Sequence, residues 1–524
     1  MQYADLVLRN ADVITMNLSE PYAEAIAIKD EKIVAVGTDG QIKPWIGKQT
    51  KVMNLDGKMV VPGFIDTHVH MRGFGRCLTE MNLRNINSIR DMQQLLRDRV
   101  QKTPERRWIL GRGWDQEKFK EKRYPTRRDL DEEAPDNPVI FTRVCGHICV
   151  ANSEALKLAG ITGDTVAPPG GQIDKNHETG KPTGILGENA MDSVWNIVPV
   201  PSKEESAEMC ALACQKAVEA GLTSVHWLAQ SPAEIRILQE LRKQGKLPLR
   251  VYLVIPVEFL DCLTDAGLVT GFGDDMIRIG GIKILADGSL GARTAALRQS
   301  YDDEPSTKGM MLYSQRSLNR LILKAHKAGF QLAIHAIGDQ TVDITLKALE
   351  KTLDVSPRED HRHRVEHASV LNASLIQRMK KLGVIASVQP HFVVSDFWVE
   401  KRLGKARARW TYPFKTLMEK SVLVTGGSDC PVEPISPLLG IYAAVNRETF
   451  PQERIKVEEA LRIYTVNAAY ASFEEKIKGS LGAGKLADLV VLSDDLRKIK
   501  PSRIKDVKVE MTIIGGKFVH VTRG

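Results

Sequence analysis

One stretch constrains this chain more than any other, Met59-Val-Val-Pro-Gly-Phe-Ile-Asp-Thr-His-Val-His70. It is an apolar run that ends in two histidines one residue apart. In extended backbone alternate residues share a face, so His68 and His70 point at one spot. Pro62 and Gly63 interrupt the run, and a strand is predicted to bend or start there. Imidazole is the commonest protein metal ligand, and a pair on one face suits a zinc-like ion. The chain has 12 histidines, enough to produce such a pair by accident, so the other motifs have to decide.

At 524 residues the chain can bury a large core and is expected to form more than one domain. Its formal charge of +8 is small for that length, being the difference between 73 basic and 65 acidic residues. The densest basic patches, residues 117–128 and 401–409, read as solvated surface. No nucleic-acid-binding motif accompanies them, so no nucleic-acid partner is expected. Seven cysteines are scattered without a C-x-x-C pair, which argues against a disulfide framework. The N-terminus lacks a basic segment followed by an apolar one, and no run of about 18 apolar residues occurs. A cytoplasmic protein with no membrane partner is expected.

Residues 4–56 read as short strands and turns, and the C-terminal end repeats that texture in Ala487-Asp-Leu-Val-Val-Leu492 and Met511-Thr-Ile-Ile-Gly-Gly-Lys-Phe-Val519. Small two-stranded pieces are marginal in water, so the two ends are predicted to pair into one small β domain. Between them, strands alternate with helices, the pattern of parallel β/α units. After the opening strand come Thr223-Ser-Val-His226, Arg250-Val-Tyr-Leu-Val-Ile255, Ile277-Arg-Ile-Gly-Gly-Ile-Lys-Ile-Leu285, Gln331-Leu-Ala-Ile-His335, His363-Arg-Val-Glu-His367, Val384-Ile-Ala-Ser-Val388 and Val422-Leu-Val-Thr425. About eight strands close a TIM-type barrel. Helices are predicted over residues 202–220, with a Ser202/Glu205 capping box, and 317–328. The count requires residues 71–203 to be an insertion after the first barrel strand, large enough to be a sub-domain. The expected layout is 1–58 and 479–524 for the β domain, 59–70 for the first barrel strand, 71–203 for the insertion, and 204–478 for the remaining barrel.

The strand ends carry the chemistry. His68, His70, His226, Lys283, His335 and His367 stand there, with Asp429 just beyond, and in a β/α barrel those ends face one mouth. Singly, each has a structural alternative. His335 could be a core histidine, His367 could be oriented by Glu366 for a structural reason, Asp429 could be a turn residue beside glycine and proline, and Lys283 could snorkel or pair with Asp287. An unpaired ammonium in an apolar strand is costly, so Lys283 needs a partner, a metal or a modification. Together the set points to a catalytic metal centre.

Several motifs carry a family resemblance: Val60-Val-Pro-Gly-Phe-Ile-Asp-Thr-His-Val-His70, Gly281-Ile-Lys-Ile-Leu-Ala-Asp-Gly-Ser-Leu-Gly-Ala-Arg-Thr-Ala-Ala296, His335-Ala-Ile-Gly-Asp339, Arg364-Val-Glu-His367, Gly427-Ser-Asp-Cys-Pro-Val-Glu-Pro434 and the tail from Gly479 to Leu492. On these the chain resembles the amidohydrolase superfamily, in its metal-dependent amidohydrolase family 3 branch, which includes N-substituted formamide deformylases. The resemblance implies an α/β fold, a distorted TIM (β/α)8 barrel with a β-sandwich built from both chain ends. It implies that His68 and His70 bind a more buried metal and His335 and His367 a more exposed one. Lys283, carboxylated by carbon dioxide, would bridge two divalent ions, zinc being the expected metal; an unmodified Lys283 would leave a single-metal site. Asp429 would touch the metal and act as general base.

The implied activity is hydrolysis of a carbon–nitrogen bond other than a peptide bond, in a small amide or N-substituted formamide, by metal-activated hydroxide. His226 is a candidate to polarise the carbonyl or contact substrate. In the insertion, Cys145-Gly-His147 departs from the Asp-Gly-His common in the family, so Cys145 receives no role. His147 and Trp114 are candidates to line the pocket, and Arg293 to bind a substrate carboxylate or phosphate. The insertion is expected to cover the barrel mouth. Deamination of an amino-substituted ring and a non-catalytic relative are the competing readings, and a homodimer is the expected assembly.

Overall fold

The computed structural model describes residues 3–143 and 148–522. They form two compact units, one of Met1–Gly73 with Cys210–Gly524 and one of Phe74–Met209. The first holds a sheet of eight parallel strands among the described residues, which we number in chain order: β1 Phe64–Val69, β2 Leu222–Leu228, β3 Arg250–Pro256, β4 Ile277–Leu285, β5 Gln331–Ala336, β6 Arg364–His367, β7 Ile385–Val388 and β8 Val424–Gly426. The strands are rich in Val, Ile and Leu, and nearly every residue is buried, as expected of a parallel sheet covered on both faces. The register sets active residues side by side. Leu285 pairs with His335, His335 with Glu366, and Ala336 with His367.

The barrel is nearly closed, but no ladder joins β8 to β1 among the described residues. The loop after β8 closes the gap instead. Asp429 donates its backbone N–H to the His68 carbonyl (2.7 Å), and His70 donates to the Cys430 carbonyl (2.9 Å). The Thr67 hydroxyl lies 3.2 Å from those of Thr425 and Ser387. This approach leaves no room at Gly427, where a Cβ would stand 2.7 Å from the His68 nitrogen.

Both chain ends build the small β domain. One sheet runs in the order Lys32–Gly37, Ala25–Lys29, Leu6–Arg9, Lys51–Asn54. The other runs Lys517–Val521, Val509–Ile514, Leu489–Leu492, Met59–Pro62, Asp12–Ile14, Tyr22–Ala23. Leu8, Ile26 and Ile33 of the first share one buried cluster with Val13, Val60, Leu489, Val491 and Ile513 of the second, so the sheets form a sandwich. Residues 59–62 therefore belong to the sandwich and not to the first barrel strand. Gly63 is the break, since a Cβ there would meet the Thr223 side chain at 2.1 Å.

The expected helices form as Lys203–Glu219 and Gln315–Lys327. The first has the reciprocal Ser202/Glu205 bonds of a capping box. The second starts two residues earlier than expected because Ser314, not Ser317, caps it. No helix of the described residues is long and apolar enough to cross a membrane. The insertion, residues 74–209, has its own six-stranded sheet and its own cores, one around Trp114, Phe119 and Phe141, another around Ile140, Leu156 and Leu186.

One buried ion pair ties barrel to sandwich. Arg250 of β3 donates twice to Asp488, at 2.6 and 3.0 Å, and Asp488 also accepts from the Gly515 N–H at 2.9 Å. Both side chains are almost fully buried. Removing one partner of such a pair strands a charge away from water, which costs about 3–5 kcal/mol. Asp488→Ala is therefore expected to lose about that much stability in urea denaturation. A loss of less than about 1 kcal/mol, the value of an exposed pair, would show that the contact does not hold the two layers together.

Candidate metal centre at the barrel mouth

The C-terminal ends of β1, β4, β5 and β6 and the loop after β8 bring their polar residues to one place. His70 Nε2 lies 3.1 Å and His68 Nε2 3.4 Å from Asp429 Oδ1. Lys283 Nζ is 3.5 Å from His68 Nε2. The ring of His367 stands 4.8 Å from that of His68 and 4.4 Å from that of His335. One ligand atom each of His68, His70 and Asp429 falls within 4.8 Å of the others, a spacing that suits one metal ion. All six sequence-predicted ligands thus share one site.

Each of three rings has one nitrogen tied down, which leaves the other free. His68 Nδ1 donates to Glu366 Oε2 at 2.5 Å, and His367 Nδ1 donates to Gln389 Oε1 at 2.6 Å. His335 donates from Nε2 to the Gly288 carbonyl at 2.9 Å. Those partners fix the tautomers, so His68 and His367 keep lone pairs at Nε2 and His335 keeps one at Nδ1. Such donors are what a divalent cation of the zinc type takes, and the residues present fit one.

The electrostatics agree. Burial, followed by the charge of Lys283, pushes His335 down to about 3. Burial, with the neighbouring His335 and His68, holds His367 well below the ordinary histidine range, and burial also lowers His70. Burial lowers the Lys283 amine to about 8, against the pull of Glu366 and Asp429. Burial works to raise the Asp429 carboxyl, but the contacts with His68 and His70 outweigh it and keep the group ionised. Neutral imidazoles beside a carboxylate are in the protonation states metal binding requires.

The backbone is strained at two of these positions. His367 has φ +72° and Asp429 φ +56°, in the left-handed region that non-glycine residues avoid at about 1–3 kcal/mol each. For His367 the gain is geometric. Neighbouring strand residues point to opposite faces, yet Glu366 and His367 both reach His68, because the strand leaves regular geometry at His367.

Three expected site residues are engaged elsewhere, and a fourth is not described. His226 is fully buried in the barrel interior, where its Nδ1 meets Arg364 Nη1 at 2.6 Å. Arg293 is paired twice with Asp303, at 3.0 and 2.8 Å, and its charge is already answered within the chain. Trp114 is fully buried in the insertion core and donates to the Phe141 carbonyl at 2.8 Å. His147 lies outside the described residues. Asp287, the alternative partner of Lys283, instead accepts backbone N–H groups of Ala296, Ile337 and Gly338. Gln389 was not expected, and Glu366, read from the sequence as orienting His367, instead bonds to His68. Their signals were available, Glu366 beside a ligand in Arg-Val-Glu-His367 and Gln389 just past a predicted strand end.

A protein-family profile described as the amidohydrolase family matches residues 51–520. YtcJ of Bacillus subtilis is 35% identical over 525 residues, covering 97% of this chain and 98% of that protein. The N-substituted formamide deformylase of Arthrobacter pascens is 28% identical over 538 residues, with 98% of each chain covered. Among solved structures, a metal-dependent hydrolase of Pyrococcus furiosus superposes with a TM-score of 0.80 at 32% identity, covering 94% of this chain and 100% of that one. With a profile match across nine-tenths of its length and the barrel-mouth site in place, this chain belongs to the amidohydrolase family.

Proposed function

We propose that the protein hydrolyses the carbon–nitrogen bond of a small linear amide, an N-substituted formamide being the best fit, with divalent metal held at the barrel mouth. One observation carries the reading. Four histidines, a lysine and a carboxylate from five separate segments converge, with ring protons held away from the centre at His68, His335 and His367. The full-length similarity to the Arthrobacter pascens deformylase supports the amide class. Apolar side chains beside the site support an N-substituent. Leu285 ends β4, Leu312 donates its backbone N–H to the adjacent Ala286 carbonyl, and both side chains are half exposed. A non-catalytic relative would be expected to have lost ligands, and this chain keeps them all.

His68 and His70 would hold one zinc ion and His335 and His367 a second, with Asp429 touching the first. A divalent cation there makes water acidic enough to ionise near neutral pH and polarises a carbonyl oxygen. Asp429, ionised and within reach of His70 and His68, takes the proton of the attacking water and delivers it to the departing nitrogen. Lys283 would act as a bridging carbamate. Its lowered basicity, to about 8, enlarges the neutral share of the amine, and that form would add carbon dioxide and lose a proton to become an anion.

Tests follow from each part. Over a panel of linear amides and aminoheterocycles, release of an amine from the amides is expected; ammonia from the rings alone would assign a deaminase. Asp429→Asn should retain metal while turnover falls about 10²–10⁴-fold, the usual share of a general base. Near-normal turnover would remove that role. Lys283→Ala is expected to lower bound metal by about half in elemental analysis, as is preparing the wild type without carbon dioxide. Full metal loading in both would leave the lysine unmodified.

A further inference from the structure

A second carboxylate–histidine pair stands at the same mouth, on residues not used above. His391 follows β7 by three residues and Glu433 lies in the loop after β8. Their side chains are bonded, His391 Nδ1 to Glu433 Oε2. Both loops are anchored at the metal centre. Gln389, two residues before His391, holds His367, and the ring of Phe392 is 6.5 Å from that of His367. Glu433 follows Asp429 by four residues, and Cys430 between them is bonded to the His70 backbone. Glu433 is buried, and His391 is the partner it meets. A carboxylate that fixes one imidazole nitrogen aims the other, the logic of an oriented acid–base histidine. Nε2 of His391 has no hydrogen-bond partner among the described residues, and the ring is partly open to solvent at 18% exposure.

We propose that His391, oriented by Glu433, is a substrate-contacting residue whose Nε2 accepts a hydrogen bond from the N–H of the amide being cleaved. With Nδ1–H directed at Glu433, the Nδ1-protonated tautomer presents a lone pair at Nε2 and selects a donor. The ligand class is thus an amide that keeps its N–H, against one whose nitrogen carries two alkyl groups. An unmet acceptor in a site built for a donor discriminates against the analogue that lacks it. The inference rests on the amide-hydrolase reading for its ligand, not for its geometry.

The test uses the metal-loaded protein with N-butylformamide and N-butyl-N-methylformamide, compared by amine release and by calorimetric binding. The wild type is expected to favour the N–H amide roughly tenfold or more. His391→Phe should erase that preference by weakening the N–H amide alone, with metal content and melting curve unchanged. His391→Gln, which keeps an acceptor, should restore part of it. If His391→Phe does not fold, Glu433→Leu serves, because it removes the acceptor that holds the ring and should shrink the same preference. Equal losses on both amides, or an unchanged preference in His391→Phe, would overturn the assignment. A binding preference without amine release would sustain this subsite and sink the hydrolysis reading. Failure of both amides to bind or react would overturn the subsite too.

Discussion

Where β8 meets β1 the barrel has no ladder, and backbone bonds from Asp429 to His68 and from His70 to Cys430 take its place. The segment that completes the fold therefore also delivers the carboxylate of the site. Its distance from the two histidines is set by main-chain bonds and not by a flexible side chain. This close approach explains the glycine before Ser428 and Asp429, since any Cβ at Gly427 would press on His68. Asp66 secures the same junction by accepting from the backbone N–H groups of both His68 and Ser428, at 3.0 Å each. Loss of this closure would loosen the fold and the ligand set together.

Below the mouth the barrel interior is charged, which is expensive unless every charge has company. Arg364 and Glu366 lie on the same face of β6, fully buried, with the guanidinium 2.9 Å from the carboxylate. Burial works to raise the Glu366 carboxyl, but Arg364 and His68 outweigh it and keep it ionised. The line His226, Arg364, Glu366, His68 runs from barrel core to ligand. Its last bond fixes the His68 tautomer, so the cost of burying these charges is offset by a prepared donor nitrogen.

Expectation and structure part company for a consistent reason. Strand positions and ligand types were legible because apolar runs ending in His, Lys or Asp are local signals, and parallel barrels put all such ends at one mouth. His226 looked like a strand end, yet β2 runs on to Leu228 and the ring is bonded to Arg364. Arg293 looked free because its partner Asp303 lies ten residues on, across a turn. Trp114 looked like a pocket wall because the sequence did not show that the insertion has a core of its own.

The amino-acid sequence by itself determined which metal-compatible side chains ride on which strands, and that both chain ends share one β domain, because periodicity and residue type are properties of short segments. Only the tertiary structure decided which nitrogen of each ring is free, and which histidine faces the site and which the core. Those outcomes depend on partners remote in the chain, such as Glu366, 298 residues from His68. A hydrogen bond between such residues exists only after the barrel has closed.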